Sequence, residues 1–350
     1  MKEFLKQLVD GRALSTEQAI EAFDLIMSGQ ASPVQTSAVL ALIQVRGPTV
    51  DELVGAATVM RRKVTAVDVP DGLTLIDTCG AGGTGSTFFN ISTASALVAA
   101  AAGHRHGIAV AKHGNRSVTS RSGSSQVLEV LGLKLQVDGS ILTRCLAEAG
   151  FCFCFAPAHH PAMKHAVPVR QDLGIATIFN LLGPLTNPAG VRRQLMGVPN
   201  VKVADLIAET LLRLESNRAM LVHTVLSDGR SLGELTTFGP AQIRELHHGV
   251  IKSYTLDPAN LDLPVAMVDS VTVEGPQDSA RLIRSVLDGQ HGSARDITCL
   301  NASAALVVAD VASDLAEGIE QAAEAIDSGL AQKTLEVVIK ITGSDSSPRA

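Results

Sequence analysis

The sequence predicts an α/β protein in two parts, a small all-helical lobe followed by a larger α/β lobe around a central, largely parallel sheet. Two observations carry that expectation. Residues 1–70 read as capped helices and little else, and from Leu73 short apolar runs alternate with helical segments. Size agrees: 350 residues, 46% of them hydrophobic, suffice to bury two cores.

In the helical part, Ser15 and Gln18 form a capping-box pair before AIEAFDLIM. Ser32-Pro33 is a cap with proline at the first helical position, opening a helix that stops at Gly47-Pro48. Thr49 and Glu52 repeat the box before LVGAATVMRRK. Short loops between such helices imply a compact antiparallel arrangement, with VTAVDVPDG as the linker that ends it. Strand-like runs then follow at LTLIDTC, IAVAKH, FCFCFA, RQLMGV and RAMLVHT, with helices such as NISTASALVAAAAG and VKVADLIAETLLRL between them. Residues 161–190 interrupt the alternation with helix-like sequence that returns to the helical lobe. The α/β domain is therefore expected over 73–160 and 191–343, the helical domain over 1–70 joined by 161–190, and a disordered polar tail over 344–350.

Composition removes several classes of function. The net charge of −6 is spread without acidic or basic blocks, which argues against non-specific binding to nucleic acid or anionic membranes. Five cysteines, odd in number and without metal-ligand spacing, fit reduced thiols, and Cys152 and Cys154 read as part of a buried strand. The first residues show no signal-peptide core and no segment approaches membrane-spanning length, so a cytoplasmic protein is expected.

The chemistry concentrates at DTCGAGGTGSTFFNIST, where four glycines fall within six positions between a strand and a helix. Gly80, Gly82 and Gly85 satisfy G-x-G-x-x-G, but the acid that a dinucleotide site needs about twenty residues on is missing. From Thr78 through Leu128 there is no Asp or Glu, while Arg105, Lys112, Arg116 and Arg121 make the stretch +4. The nucleotide-triphosphatase loop fails too, because Ser86 stands where it requires lysine. Glycine N–H groups, a helix start at Asn90 and four cations describe a site for a highly charged anion. A plain strand–helix turn with solvated cations is the alternative. A second loop, KHGNRSVTSRSGSS, follows the next strand and is also free of acid. Lys112 offers a point charge there, Asn115 a donor and an acceptor, and the Ser/Gly run further donors.

These two loops, together with HPAMKHAVPVRQDLGIATIFNLLGPLTNPA and AIDSG, resemble the anthranilate phosphoribosyltransferase family, of the nucleoside-phosphorylase-like class. The resemblance runs over nearly the whole chain, to about Gly343, and Lys112–Arg116 and Asn180–Pro188 are its most specific motifs. It implies a helical lobe hinged to an α/β lobe and a homodimer formed through the helical part. It also implies transfer of a 5-phosphoribosyl group from phosphoribosyl pyrophosphate (PRPP), with Mg²⁺, to the amine of anthranilate in tryptophan biosynthesis. By the same resemblance Gly80, Gly82 and Gly83 line the pyrophosphate and ribose. Asn90, Ser92 and Thr93 hold phosphates at a helix N-terminus, Ser92 and Glu234 bind metal, and Lys112 and Ser124 complete the PRPP site. Asn115, His160 and Arg170 line the anthranilate route, Arg170 facing the carboxylate; Lys112, Asn115 and Arg170 are the expected catalytic set. An arginine fork suits a benzoate, although a surface ion pair or a cap of the QDLG segment is the competing role. His113 is either a late acceptor of the amine proton or a neutral structural histidine.

The chain departs from the family pattern in places. Ala81 and Thr84 stand for the Thr and Asp of Gly-Thr-Gly-Gly-Asp-Gly, Gly233 for the Asp of an Asp-Glu pair, and His159 for a tyrosine. The expectation is that PRPP itself holds more of the Mg²⁺, with Glu234 as the main protein anchor and Asp228, in a longer loop, as a compensating carboxylate. The same changes suit transfer to another aromatic amine. Pyrimidine nucleoside phosphorolysis is a second alternative on this fold, disfavoured because a pyrimidine has no carboxylate for Arg170 to meet. A non-catalytic paralogue binding nucleic acid calls for a lysine-rich surface and a damaged Lys-His-Gly-Asn-Arg motif, and neither is present.

Overall fold

The computed structural model describes residues 1–83, 85, 87–116, 122–226, 228–265 and 268–344. Thr84, Arg121 and the expected tail beyond Ser344 lie outside the described residues, and Ser344 itself caps the last helix. The chain opens with helices α1 (Lys2–Val9), α2 (Thr16–Met27), α3 (Pro33–Arg46) and α4 (Val50–Arg62). The caps do what their spacing requires. At Ser15/Gln18, Ser32/Gln35 and Thr49/Glu52 the hydroxyl accepts the N3 amide while the N3 side chain accepts from the cap amide. Glu52 does more than cap. Wholly buried, it also takes the Leu14 amide and both bonds from one nitrogen of Arg46, tying the approach to α2 and the end of α3 to the start of α4.

The α/β part continues with β1 (Thr74–Gly80), α5 (Ile91–Gly103), β2 (Ile108–Gly114), α6 (Ser124–Leu131), α7 (Gly139–Ala149) and β3 (Phe151–Phe155). Three short helices follow, α8 (Ala156–His159), α9 (Val167–Leu173) and α10 (Phe179–Leu182). Then come β4 (Arg193–Gly197), α11 (Val201–Arg213), β5 (Arg218–Val225), β6 (Ser231–Leu232), β7 (Ala241–His247) and β8 (Val250–Leu256). The chain closes on α12 (Pro276–Leu287), α13 (Ser293–Val308), α14 (Leu315–Asp327) and α15 (Leu330–Gly343).

The sheet order is β3-β2-β1-β4-β5-β7-β8, with β6 paired to β5. The first five strands run parallel, whereas β6, β7 and β8 add an antiparallel edge that the apolar pattern of the sequence does not announce. Its turn is made by His248 and Gly249, both with left-handed φ, as a two-residue hairpin needs. The segment carries Lys, Ser and Thr on an exposed edge strand, so its apolar alternation is weak. Chain order reverses at β1, which has β2 on one side and β4 on the other, and ligands of open α/β sheets bind outside the strand ends at such a point.

Two cores lie on opposite faces of β4 and β5, because successive strand residues point to opposite sides. Leu195, Met220 and Val222 join the core built on α5, α7 and α13. Met196, Ala219 and Leu221 join a second core with α11, the first four helices and residues Ala166, Val169, Ile178, Phe179, Leu182 and Leu185. Phe23 of α2 meets Phe179 of α10 edge-on at 5.8 Å.

Candidate active site

The switch point places Gly80 directly beside Gly197 in the β1–β4 register, and the Ala81 amide donates to the Gly197 carbonyl at 2.8 Å. Beyond Gly80 the loop turns through Gly82, Gly83 and Gly85 at φ of 72°, 82° and 61°, a region that residues with a Cβ rarely adopt. The returning arm is pinned by Val273 N–H to Thr87 O at 2.9 Å and Phe89 N–H to Val271 O at 3.0 Å. Asn90 then caps α5, its Oδ1 accepting the Thr93 amide at 3.0 Å and its Nδ2 donating to the Ser122 carbonyl at 3.0 Å. That second bond joins the two sequence loops. Around it the hydroxyls of Thr93, Ser122 and Ser125 are buried without a partner among the described residues. Ser124 opens α6 with its Oγ packed on Gly114, where a Cβ would come within 2.5 Å of it.

Lys112 is 1% exposed, which for a lysine demands specific partners. Its Nζ donates to the Thr78 carbonyl in a short bond and to Ser92 Oγ at 3.1 Å. Burial lowers its pKa, and Asp77, Cys79 and Glu234 oppose the shift. Acid reaches Lys112 from both sides of the acid-free stretch. Asp77 precedes the acid-free stretch by one residue and is fully buried, accepting from the His113 amide at 3.1 Å and Asn187 Nδ2 at 2.9 Å. Glu234 arrives from beyond β6. Both carboxyls have raised pKa values, first through burial, with Lys112 pulling the other way. Glu234 Oε2 is buried and has no partner among the described residues. A cavity of about 40 Å³ is lined by Thr78, Gly80, Ser92, Gly197, Glu234 and Asn301 among others, and so gathers several of the expected phosphate and metal residues.

Gly233 explains one departure in the sequence. It lies against β4 so closely that a Cβ there would meet Gly197 Cα at 2.8 Å, and a Cβ on Gly197 would overlap the Gly233 carbonyl oxygen. No aspartate fits at 233 without parting the strands. Asp228 is exposed and held by Arg230 at 2.7 Å, outside the residues lining the cavity.

The other expected residues sit around this centre. His113 Nδ1 lies 2.9 Å from the Gly183 carbonyl, so it carries the proton; its Nε2 then accepts from His160 Nε2 at 3.3 Å. Burial pushes the His113 pKa down to about 3 and that of His160 to about 4, with neighbouring imidazoles lowering both further. His113 is thus the neutral structural histidine, with both ring nitrogens engaged. Arg170 of α9 lies over the Phe179 ring at 5.4 Å and donates to Asn180 Oδ1 at 3.4 Å, and among the described residues it makes no ion pair. Asn115 is exposed, its Oδ1 accepting the Arg116 amide at 2.7 Å. Among the described residues no hydrogen bond joins Asn115, His160 and Arg170 to one another.

Three residues of the site carry little signal in the sequence. Asp77 is a lone acid in an apolar strand, the one sign that could have exposed it. Asn187 bridges Asp77 and the Ala111 carbonyl, at 2.9 and 2.8 Å. His159 exchanges two bonds of 2.8 Å with Thr65 of the linker, Nδ1 donating to its carbonyl and its own carbonyl accepting the Thr65 amide. All five cysteines are free and buried, Cys152 and Cys154 within β3 as the apolar run around them suggested.

The helical bundle and the α/β unit with its glycine loop at the switch point are those of a glycosyl transferase family. Family models agree: the glycosyl transferase family helical bundle domain matches residues 2–64 and the a/b domain of the same family matches 72–332. The anthranilate phosphoribosyltransferase of Methylobacillus flagellatus is 46% identical over 332 residues, 95% of each chain. The crystal structure of the Thermus thermophilus enzyme superposes with a TM-score of 0.86 at 36% identity, covering 97% of this chain and 99% of that one. The Saccharomyces cerevisiae enzyme in complex with PRPP and Mg also gives 0.86, at 27% identity over 98% and 97% of the two chains. The chain belongs to the anthranilate phosphoribosyltransferase family.

Proposed function

We propose that the chain transfers the 5-phosphoribosyl group of PRPP to the amine of anthranilate, releasing pyrophosphate, as a step of tryptophan biosynthesis. The observation that carries this reading is the meeting of Gly80, Ser92 and Glu234 at one switch-point cavity, with Lys112 bonded to the Ser92 hydroxyl. The yeast relative with PRPP and Mg shares the fold around it. Another structure of that enzyme holds 4-fluoroanthranilate, with a TM-score of 0.84 at 25% identity over 98% and 97% of the two chains.

In this reading Gly80, Gly82 and Gly83 cradle the pyrophosphate and ribose with backbone N–H groups, and Asn90, Ser92, Thr93 and Ser124 bind phosphate oxygens at two helix starts. The unpartnered hydroxyl of Thr93 suits that role. Leaving of the pyrophosphate builds negative charge, which Lys112 stabilises from its fixed place. Anthranilate attacks as a neutral amine, so no strong base is needed, and His113 has no free lone pair to act as one. Asn115, His160 and Arg170 position the acceptor, Arg170 through a fork matched to its carboxylate.

Mg²⁺ fits these residues. The described part of the chain has no cluster of three metal-binding side chains, but Mg²⁺ ordinarily takes one or two carboxylates plus substrate phosphates. Glu234, with its unpartnered Oε2, and Ser92 Oγ are the donors that would hold it, and when bound it neutralises charge on the departing pyrophosphate. The domain division expected from sequence, a cytoplasmic location and a homodimer complete the proposal. Val9, Val34 and Val45, at 70, 78 and 88% exposed, are apolar side chains that α1 and α3 present on the lobe through which the dimer would form. Among the described residues no helix is long and apolar enough to cross a membrane. The fluorescence of anthranilate in the presence of Mg²⁺ tests the reading. Rapid, PRPP-dependent loss is expected; no loss while PRPP still binds by calorimetry would move the reading to another amine.

A further inference from the structure

A phosphoribosyl diphosphate brings several negative charges to a site whose buried cation, Lys112, is already influenced by Asp77 and Glu234. Apart from the Mg²⁺ bound with the substrate, one lysine shared with two carboxylates adds little to balance a departing diphosphate, and backbone N–H groups add dipoles but no net charge. Gly233 cannot add a ligand, since its approach to Gly197 leaves no space for a side chain.

A second cation stands between the elements that build the cavity. Arg230 precedes β6 and lies four residues before Glu234. Its guanidinium sits over the Phe88 ring, 5.7 Å from the centroid, and Nη1 donates to Thr87 Oγ1 at 3.4 Å. Thr87 and Phe88 form the returning arm of the glycine loop, two to three residues before the Asn90 cap of α5. Arg230 therefore spans from the segment that delivers Glu234 to the loop that would hold the diphosphate. Its ionic partner is Asp228, two residues away in the same turn, at 2.7 Å with the side chains 44 and 49% exposed. Such a pair is screened by solvent and readily exchanged for a polyanion.

We infer that Arg230 is a diphosphate-binding residue of this chain, leaving Asp228 to meet the donor's pyrophosphate from the loop side and supplying a second positive charge beside that of Lys112. The inference rests on reading the site as one for PRPP. It makes Asp228 a competitor for the arginine rather than a metal ligand.

Calorimetric titration separates the two claims. PRPP with Mg²⁺, and inorganic pyrophosphate with Mg²⁺, are titrated into the unaltered chain and into Arg230→Ala, Arg230→Lys and Asp228→Asn, with thermal melts to check folding. Arg230→Ala is expected to weaken both ligands roughly tenfold, and Arg230→Lys to recover part of the loss. Asp228→Asn, which frees the guanidinium, tightens them roughly twofold, and the differences shrink at high salt. Equal affinities for Arg230→Ala and the unaltered chain would overturn the inference alone, as would weaker binding in a folded Asp228→Asn. Failure of the unaltered chain to bind PRPP at all would instead remove the reading on which it rests.

Discussion

The phosphate half of the site draws on residues 77–93, 112 and 124, and most of its donors are backbone amides or short hydroxyls at helix starts. The acceptor half draws on long side chains of the segment from His160 to Asn180, carried by helices of four to seven residues. In the first, position is set by strand register and by glycine φ values. In the second it is set by side-chain partners, Phe179 and Asn180 for Arg170 and His113 for His160. Under the proposed function, recognition of the diphosphate would be written into backbone geometry, whereas recognition of the acceptor would depend on a few exchangeable contacts. Substitutions should act as all-or-none in one half and as graded changes in the other.

Gly197→Ala puts that contrast under the greatest strain. The new Cβ faces a carbonyl oxygen of Gly233 that belongs to the backbone and cannot rotate away. The expected cost is about 3 kcal/mol or more, with PRPP binding lost; an unchanged melting temperature would refute the backbone account.

The junction between the halves gives the next largest effect. Both histidines have pKa values below the ordinary 6.5, about 3 for His113 and about 4 for His160. The unfolded chain then binds more protons than the folded one between those values and about 6.5. Stability is full above that pH and falls as pH drops, by up to about 1.4 kcal/mol per pH unit for each ring. Denaturant titrations across the weakly acidic range, from about pH 7 to about pH 5, should show the slope, and a flatter one in His160→Gln. An unchanged slope in that variant assigns the effect elsewhere.

In the acceptor half, Arg170→Lys keeps the charge but loses the planar fork and its place on Phe179. KM for anthranilate should rise about tenfold while KM for PRPP holds. A matching rise in both would mean that Arg170 supports the fold and does not meet the acceptor. Smallest is Thr84→Asp, which restores a carboxylate to the glycine loop and should move the Mg²⁺ optimum by a few-fold, on the order of one weak ligand. An unaltered Mg²⁺ dependence would speak against the view that the substrate itself holds most of the metal.

The same contrast governs what could be read from sequence. Capping boxes, the left-handed glycines and the Asn90 cap are local, since spacing alone dictates them, and the parallel strands announce themselves as apolar runs. Asp77 and Glu234 were harder. The carboxylates of the phosphate site come from one residue before the acid-free stretch and from more than a hundred beyond it, so a window on the loop misses both. The β7–β8 hairpin was missed because its outer strand is exposed and polar, leaving no apolar period to detect. Arg170 was legible as a residue, but its stacking on Phe179 depends on how α9 and α10 pack. No spacing rule encodes that.

The second core has a consequence for how the molecule comes apart. Its apolar residues run from α2, α3 and α4 through α11 to one face of β4 and β5, crossing the linker that divides the chain into two family domains. Cooperative units follow shared burial and not sequence boundaries. Residues 1–64 on their own would present to water the side chains that now meet Phe179, Ile207 and Leu211, and below a size of about 70–80 residues such a loss is rarely tolerated. The helical lobe and the sheet are therefore expected to unfold together, since peeling the helices away would expose the core they share.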